Sequence, residues 1–342
     1  DNVSLFDSNT SIGTILIPSL SNKANIILDF KSIFTILSIL RKYPSANVIT
    51  NSGKVSYLVR LSCLILRRRC FYIIHGWSYA GFLKYPKRFL YLLFEIILEL
   101  IDWSFCLKIF VSKYDSKVRP LCFLNFLPYQ GNVIHNGITD PLSRSTKYKP
   151  NLSRCLTQDS LTTLKILTVT RLSDQKDIDS LIKSLLFISN VNLTIVGDGP
   201  NRPRLEQLAF NLGLKDRVVF LGSLTSSDTF YQYQICDLFI LVSNWEGFPL
   251  TTLEALSFAK PVIVSDVGGA GEVFHVEPDL SFGQIIPKGN SPFLISKLIG
   301  KYFDINLLSE HSNNSRKAYE RHFVSSKCFE RYLRLFDNAK NI

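Results

Sequence analysis

SNWEGFPLTTLEALSFAKPVIVSDVGGAGE, residues 243–272, decides the fold. It continues the aliphatic run DLFILVS (237–243), opens a helical pattern at Pro249 and passes into a second strand-like run, PVIVSD (261–266). A strand, a loop, a helix of about ten residues and another strand make a parallel crossover unit, which is right-handed in nearly all proteins. Pro249 suits the first helical turn, so Glu246 is expected in the loop and Glu254 on the helix.

The same alternation extends outward. KILTVTR (165–171), VNLTIVG (191–197), RVVFLG (217–222) and GQIIP (283–287) read as further strands with helices between them. The first half repeats the theme with TILIP (14–18), ANVIT (46–50), FYIIHG (71–76), KIFVS (108–112) and NVIHNG (132–137), and with helices near 30–42, 53–69 and 86–104. The polar, proline-bearing stretch 137–154 reads as the linker. At 342 residues and 46% hydrophobic content, two cores fit better than one. The expectation is therefore an α/β protein with two Rossmann-like, doubly wound domains, residues 1–145 and 146–323. Residues 324–342 are expected to form a last helix packing back on the first domain. Two such sheets place a ligand cleft at the facing carboxyl ends of their strands.

Charge is divided unevenly along the chain. Residues 1–150 hold 19 Lys and Arg against 8 Asp and Glu, whereas the remainder is balanced at 20 against 20. Such a field favours an anionic partner: an acidic membrane face, a phosphorylated substrate or nucleic acid. Local clusters stand at Arg67, Arg68 and Arg69 and at Lys84, Lys87 and Arg88. Basic and aromatic residues are not interleaved in a nucleic-acid motif, so no nucleic-acid partner is expected. The seven cysteines are scattered and never form a CxxC pair, which excludes a zinc or disulfide framework and suits free thiols in the cytoplasm. Residues 89–111 form the one membrane-span candidate, but Glu95, Glu99 and Asp102 would each be costly at a bilayer centre. A buried or interfacial amphipathic helix followed by a strand is expected there instead.

Several residue groups have chemistry to offer. The loop of Gly247, Phe248, Pro249 and Leu250, at the start of a helix, makes an anion site able to hold a diphosphate. Arg171 ends the first strand of its domain and Lys176 comes five residues later in RLSDQK; two cations at a sheet's carboxyl end can neutralise a leaving diphosphate without a metal. The turn Gly197-Asp198-Gly199-Pro200 lets backbone approach a ligand, and it is not the GxGxxG of an ordinary dinucleotide site.

Taken together, these residues resemble the family 4 glycosyltransferases, retaining enzymes of the two-domain GT-B fold, over almost the whole chain. The family's paired glutamates fall on Glu246 and Glu254, its Arg and Lys on Arg171 and Lys176, its GDGP turn on Gly197 to Pro200 and its GG-x-x-E segment on Gly268 to Glu272. The resemblance implies that Glu254 binds the ribose hydroxyls and that Glu246 contacts the donor sugar near the reacting carbon. It also implies that Arg171 and Lys176 grip the diphosphate, and that Gly197, Asp198, Gly199 and Pro200 border the nucleoside with Gly222 and Ser223. YIIHGW resembles the segment whose histidine, here His75, faces the donor sugar, while SKYD (112–115) and IHNGI (134–138) match segments of structural role.

By this resemblance the reaction is a hexosyl transfer from a nucleotide diphosphate sugar, with uridine diphosphate as carrier, no metal and no other cofactor. The acceptor is a saccharide, in one form linked to polyprenyl diphosphate at the cytoplasmic membrane face, where the basic first half would meet anionic lipid in bacterial surface-polysaccharide assembly. Three positions depart from the pattern. Thr170 and Asp177 stand where the family often has glycine, and Gly271 where it often has proline. The family also begins with a strand, a Gly-rich loop and a helix; nothing before Ile12 supplies them, so an absent amino-terminal unit is expected. Two rivals are a sugar-nucleotide epimerase on the same fold, which would release a free sugar, and a nucleic-acid binder explained by charge alone.

Overall fold

A computed structural model describes residues 15–20, 25–51, 53–77, 87–102, 104–119, 132–143 and 162–340. The linker residues 144–154 and Lys84 lie outside the described residues. The chain forms two compact units, Asp1–Ile73 with Phe94–Lys108, and Ile74–Leu93 with Ile109–Ile342.

In chain order the first elements are α1 (Ile26–Lys42), β1 (Ile49–Thr50), α2 (Gly53–Ile65), β2 (Cys70–Ile74), α3 (Lys87–Ile101), β3 (Cys106–Phe110), α4 (Lys113–Lys117) and β4 (Asn132–Val133). The four strands make one sheet in the order β1-β2-β3-β4, with parallel pairing of Ile49 to Phe71 and of Ile109 to Asn132. Asn25 starts α1 by accepting the Leu28 amide, and Arg67, in the left-handed region at φ 50°, closes the turn after α2. That turn ends the second helix before the expected residue 69. The expected strand at 14–18 does not form in the described part: Ile15 to Ile17 are irregular, and Pro18 and Ser19 sit in a turn closed by Leu20 N–H to the Ile17 carbonyl. No described strand pairs with them, and an unpaired strand leaves its backbone groups without partners.

The second sheet matches the sequence more closely. It contains β5 (Leu164–Val169), β6 (Val191–Val196), β7 (Val218–Gly222), β8 (Leu238–Leu241), β9 (Val262–Ser265) and β10 (Gly283–Ile286), all parallel, in the order β10-β9-β8-β5-β6-β7. Its helices are α5 (Ile178–Ser184), α6 (Arg202–Asn211), α7 (Ser226–Ile235), α8 (Leu250–Ser257), α9 (Pro292–Gly300) and α10 (Ile305–Ala318), with α11 (Ser325–Lys340) last. β8 and β9 are buried at every position, as strands covered on both faces must be. Ile166, Leu193, Ile240 and Ile263 pack with Leu181 of α5 and Ile295 of α9 in one core. Each such side chain contributes roughly 1.5–3 kcal/mol relative to exposure.

Between α10 and α11 the chain returns to residues 135–140. Ile138 bridges Val324, the Ser325 amide donates to the Ile138 carbonyl at 2.8 Å, and Arg316 holds Asp140 at 2.6 Å. Among the described residues no helix is long and apolar enough to cross a membrane.

Candidate functional site

Strand order reverses between β5 and β8, which lie side by side. At such a switch point the loops leaving neighbouring strands part and leave a crevice at the carboxyl edge. Arg171 leaves β5 there, and the Ser243–Gly247 loop leaves β8. Both loops are tied together by polar contacts. The Asn244 amide donates to the Gln175 carbonyl at 2.7 Å, and Gln175 Nε2 donates to the Trp245 carbonyl at 2.9 Å. Lys176 Nζ pairs with Glu246 Oε1, which also accepts from Ser243 Oγ at 2.6 Å. The Lys176–Glu246 pair was not anticipated from sequence, which placed one on the diphosphate and the other on the sugar.

Beneath this pair sits Asn290, from the loop after β10. Its Nδ2 donates to Asp177 Oδ2 at 3.0 Å and to the Ser243 carbonyl at 3.1 Å, while its Oδ1 accepts from Ser265 Oγ at 2.7 Å. Asp177 takes the left-handed conformation, φ 30°, and caps α5 through Ser180. It therefore adopts the backbone that glycine would favour at this position, with its carboxylate anchored by Asn290.

Close backbone packing explains the glycines. Gly268, at φ +57°, has the Glu246 carbonyl oxygen 1.8 Å from where a Cβ would stand, and Gly247 has the His75 carbonyl oxygen at 2.3 Å. Side chains at either position would push the Glu246 loop off its seat. Gly197, at φ +123°, is likewise filled by the Thr170 carbonyl at 1.9 Å, so the Gly197–Pro200 turn is shaped by its contact with the β5 exit.

A cavity of about 480 Å³ opens at this edge, and His75, Trp77, Asp115, Gln175, Trp245, Glu246, Lys288 and Asn290 are among its lining residues. Desolvation lowers the His75 pKa, although the residue as a whole is open to solvent; a neutral imidazole near pH 7 results. Trp77 Nε1 donates to the Asp115 carbonyl at 2.7 Å. Burial pushes the Asp115 carboxyl up to about 6; its hydrogen bond from Ser112 opposes the shift and the nearby Glu272 charge adds to it. For Glu272 burial also acts upward, but His135 and the amides of Lys113 and Tyr114 outweigh it and hold the carboxyl below its ordinary value. The GG-x-x-E glutamate is thus a clasp between segments.

Of the expected site residues, His75, Glu246 and Gly247 line this cavity. The others stand outside its lining. Arg171 is exposed, and no described residue accepts a hydrogen bond from its guanidinium. Glu254 sits on α8 and accepts from the buried Tyr233 hydroxyl at 2.9 Å; burial raises its pKa and that hydrogen bond opposes the rise. Gly197 donates to the Gly222 carbonyl at 2.8 Å, Asp198 pairs with Arg202 at 3.0 Å, and Asp198, Pro200 and Ser223 are exposed while Gly199 is half-buried. Phe248 is buried and stacks on His135 at 4.7 Å, and its carbonyl accepts from Asn136, so this residue anchors the loop from below. Pro249 is extended at the cap, and the helix starts one residue later at the exposed Leu250. Sequence reasoning missed Gln175, Trp245, Lys288 and Asn290. The position of Lys288-Gly289-Asn290, just past a strand of a doubly wound sheet, was the available signal.

A family model described as glycosyl transferases group 1 matches residues 158–314. The chain is similar to the O-antigen biosynthesis glycosyltransferase WbnH of Escherichia coli, 30% identical over 272 residues, with 77% of this chain and 70% of the relative covered. It is 25% identical over 331 residues to the UDP-Gal:alpha-D-GlcNAc-diphosphoundecaprenol alpha-1,3-galactosyltransferase of E. coli, covering 89% and 79%. Among solved structures it is similar to Anabaena Alr3699/HepE in complex with UDP-glucose, at 21% identity and a TM-score of 0.71, covering 90% of this chain and 82% of that one. This last likeness shows the GT-B fold.

Proposed function

Because this chain belongs to the glycosyltransferase group 1 family and acts in polysaccharide synthesis, we propose that it transfers a sugar from a UDP-sugar to a saccharide acceptor, with retention and without a metal. The observation that carries this reading is Glu246, held by Lys176 and Ser243 at the edge of a cavity it shares with His75. In the reaction the bond from the anomeric carbon to the diphosphate breaks, a bond from that carbon to an acceptor oxygen forms, and the acceptor hydroxyl proton is released. Charge growing on the diphosphate is met by Arg171 and Lys176, which the β5 exit places at one sheet edge. Glu246 lies where a carboxylate can stabilise positive charge on the sugar ring. Glu254, with one oxygen engaged by Tyr233, has the other available to ribose hydroxyls.

The uridine carrier is supported by the name of one relative, a UDP-Gal transferase, and by the UDP-glucose bound to HepE. The relative's diphosphoundecaprenol acceptor supports a lipid-linked acceptor here, and with it a place at the cytoplasmic face of a membrane in contact with anionic lipid.

Transfer kinetics and calorimetry on Glu246→Gln and on the double variant Arg171→Ala, Lys176→Ala test the reading. We expect Glu246→Gln to keep nucleotide affinity and to slow transfer about 10²- to 10³-fold, the usual loss when one group stabilising a transition state is removed. The double variant should lose at least as much, and EDTA should leave the parent unchanged. Parent-like turnover of either variant, or abolition of the parent's activity by EDTA, overturns this mechanism.

A further inference from the structure

Lys176 and Glu246 leave different strands, and a residue of a third loop closes a ring of hydrogen bonds around them. Lys176 is followed by Asp177, whose Oδ2 accepts from Asn290 Nδ2 at 3.0 Å, and the same nitrogen donates to the Ser243 carbonyl at 3.1 Å. Ser243 Oγ donates to Glu246 Oε1 at 2.6 Å, and Lys176 Nζ donates to that same oxygen, which completes the ring. Ser265, at the end of β9, locks it from below: its Oγ accepts the Ser243 amide at 3.0 Å and donates to Asn290 Oδ1 at 2.7 Å. Ser243 and Ser265 are 1% exposed and Asn290 3%.

The position calls for an amide. Asp177 and the Ser243 carbonyl both need a donor, whereas Ser265 Oγ, having accepted the Ser243 amide, has its own hydrogen to give. A short side chain that offers two donors and an acceptor in one plane is asparagine. Both Nδ2 hydrogens are committed to protein, so Asn290 has no donor to spare although it borders the cavity. Asp177 also stands at φ 30°, a backbone that a residue with a Cβ keeps only where its surroundings over-determine it.

This ring decides how Glu246 faces the cavity. Its hydrogen bonds from described residues fall on Oε1, which leaves Oε2 for a ligand in the cavity it borders with His75. Lys176 Nζ has two further hydrogens for a diphosphate. A shift of either loop turns both groups together, and misplacing a reacting group by about 1 Å costs on the order of 10²-fold in rate.

We propose that Asn290 is a positioning residue for transfer: through Asp177 and Ser243 it fixes the Lys176–Glu246 pair so that Glu246 presents Oε2 to the donor sugar. The inference rests on the role of Glu246 proposed above and adds the residue that aims it.

Three variants test it: Asn290→Leu, which keeps the size and removes the donors, Asn290→Asp, and Asn290→Asp combined with Asp177→Asn. Asn290→Asp sets a carboxylate oxygen about where Nδ2 stands, beside the Asp177 carboxylate, and the like charges push the loops apart. Adding Asp177→Asn returns a donor to the pair, and asparagine tolerates the left-handed backbone. Release of UDP from UDP-galactose and UDP-glucose, scaled to the folded fraction, should show kcat falling about 10²-fold in Asn290→Leu. Affinity for UDP by calorimetry should change far less. The double variant should recover roughly tenfold over Asn290→Asp, as coupled neighbours do. Hydrogen exchange needs no substrate: the Asn244 amide, which donates to the Gln175 carbonyl at 2.7 Å, should exchange faster in Asn290→Asp and return towards the parent in the double variant.

Parent-like kcat in Asn290→Leu, a loss explained by the folded fraction alone, or no recovery of rate and protection in the double variant overturns the positioning role. Glu246→Gln in the same assay keeps the two readings apart. If it slows transfer while Asn290→Leu does not, only the positioning role falls; if it also turns over like the parent, the assignment of Glu246 has failed.

Discussion

Glu95 and Asp102 in one compact unit and Asp115 and Glu254 in the other are carboxylates drawn out of water, but they are held by different means. The first two share a buried guanidinium, Arg60, at 2.8 and 2.5 Å. Asp115 is held by the Ser112 hydroxyl, and Glu254 by the Tyr233 hydroxyl. A full counter-ion fixes geometry: it decides which side of α3 turns inward. A hydroxyl leaves the acid unneutralised, so its protonation shifts and it keeps the capacity to bind something else. Of these four, Glu95 and Asp102 serve architecture, and Asp115 and Glu254 stand in or near the site.

Removing the counter-ion breaks the comparison with the largest effect. Arg60→Met should destabilise the protein by about 3–5 kcal/mol, because Glu95 is left buried without a cation and Asp102 keeps only Lys108, at 3.8 Å. Urea unfolding monitored by circular dichroism measures this. Adding Glu95→Gln and Asp102→Asn to Arg60→Met should recover much of the loss, since no net charge then stays buried. A triple variant as unstable as Arg60→Met alone would mean that side-chain packing, and not charge, orients α3.

The same distinction governs what the sequence reveals. In the second sheet every expected strand formed, because β-branched runs such as PVIVSD are buried on both faces and burial needs only apolar character, which sequence displays directly. Glu246 in a loop and Glu254 on a helix were likewise legible from strand, loop and helix order. Orientation of α3 was not. Its helical pattern was readable, and so was the cost of Glu95, Glu99 and Asp102 in lipid, but Arg60 lies 35 residues before Glu95, and a pairing at that distance leaves no local pattern. The Lys176–Glu246 pair, 70 residues apart, was hidden for the same reason. Asn290 joins three loops that only the β10-β9-β8-β5 order brings together.

Asp115 sharpens the contrast at intermediate size. Its folded pKa is raised to about 6 from an ordinary value of 3.8, so between those values the native state holds a proton that the unfolded chain has released. Its contribution to stability is therefore present at acid pH, declines as pH rises through that window and is flat above it. Asp115→Asn keeps the acceptor for Ser112 and removes the charge. It should match the parent near pH 4 and exceed it by about 2–3 kcal/mol at pH 7, the size of the shift converted to free energy. Thermal melts across pH on both proteins give the difference. A constant gap at all pH values would show that the charge on Asp115 is not the cause.

Tyr233→Phe probes the smallest effect, on the acid assigned to the ribose. The Tyr233 hydroxyl is fully buried and reaches both Glu254 Oε2 at 2.9 Å and the Thr251 carbonyl at 3.1 Å. Its removal should lower stability by about 1.5 kcal/mol, the low end for a hydrogen bond to a charged group. The more informative change is in protonation. Burial already raises the Glu254 pKa and the Tyr233 hydrogen bond pulls it down, so without the hydroxyl the carboxyl should titrate at still higher pH. A protonated acid has one acceptor fewer for ribose hydroxyls. Calorimetry with UDP across pH should then show the variant losing affinity relative to the parent as pH falls, with the two converging as pH rises. If affinity falls equally at every pH, Tyr233 acts on nucleotide binding through packing of α8 alone, and the difference between hydroxyl-held and cation-held carboxylates does not extend to ligand binding.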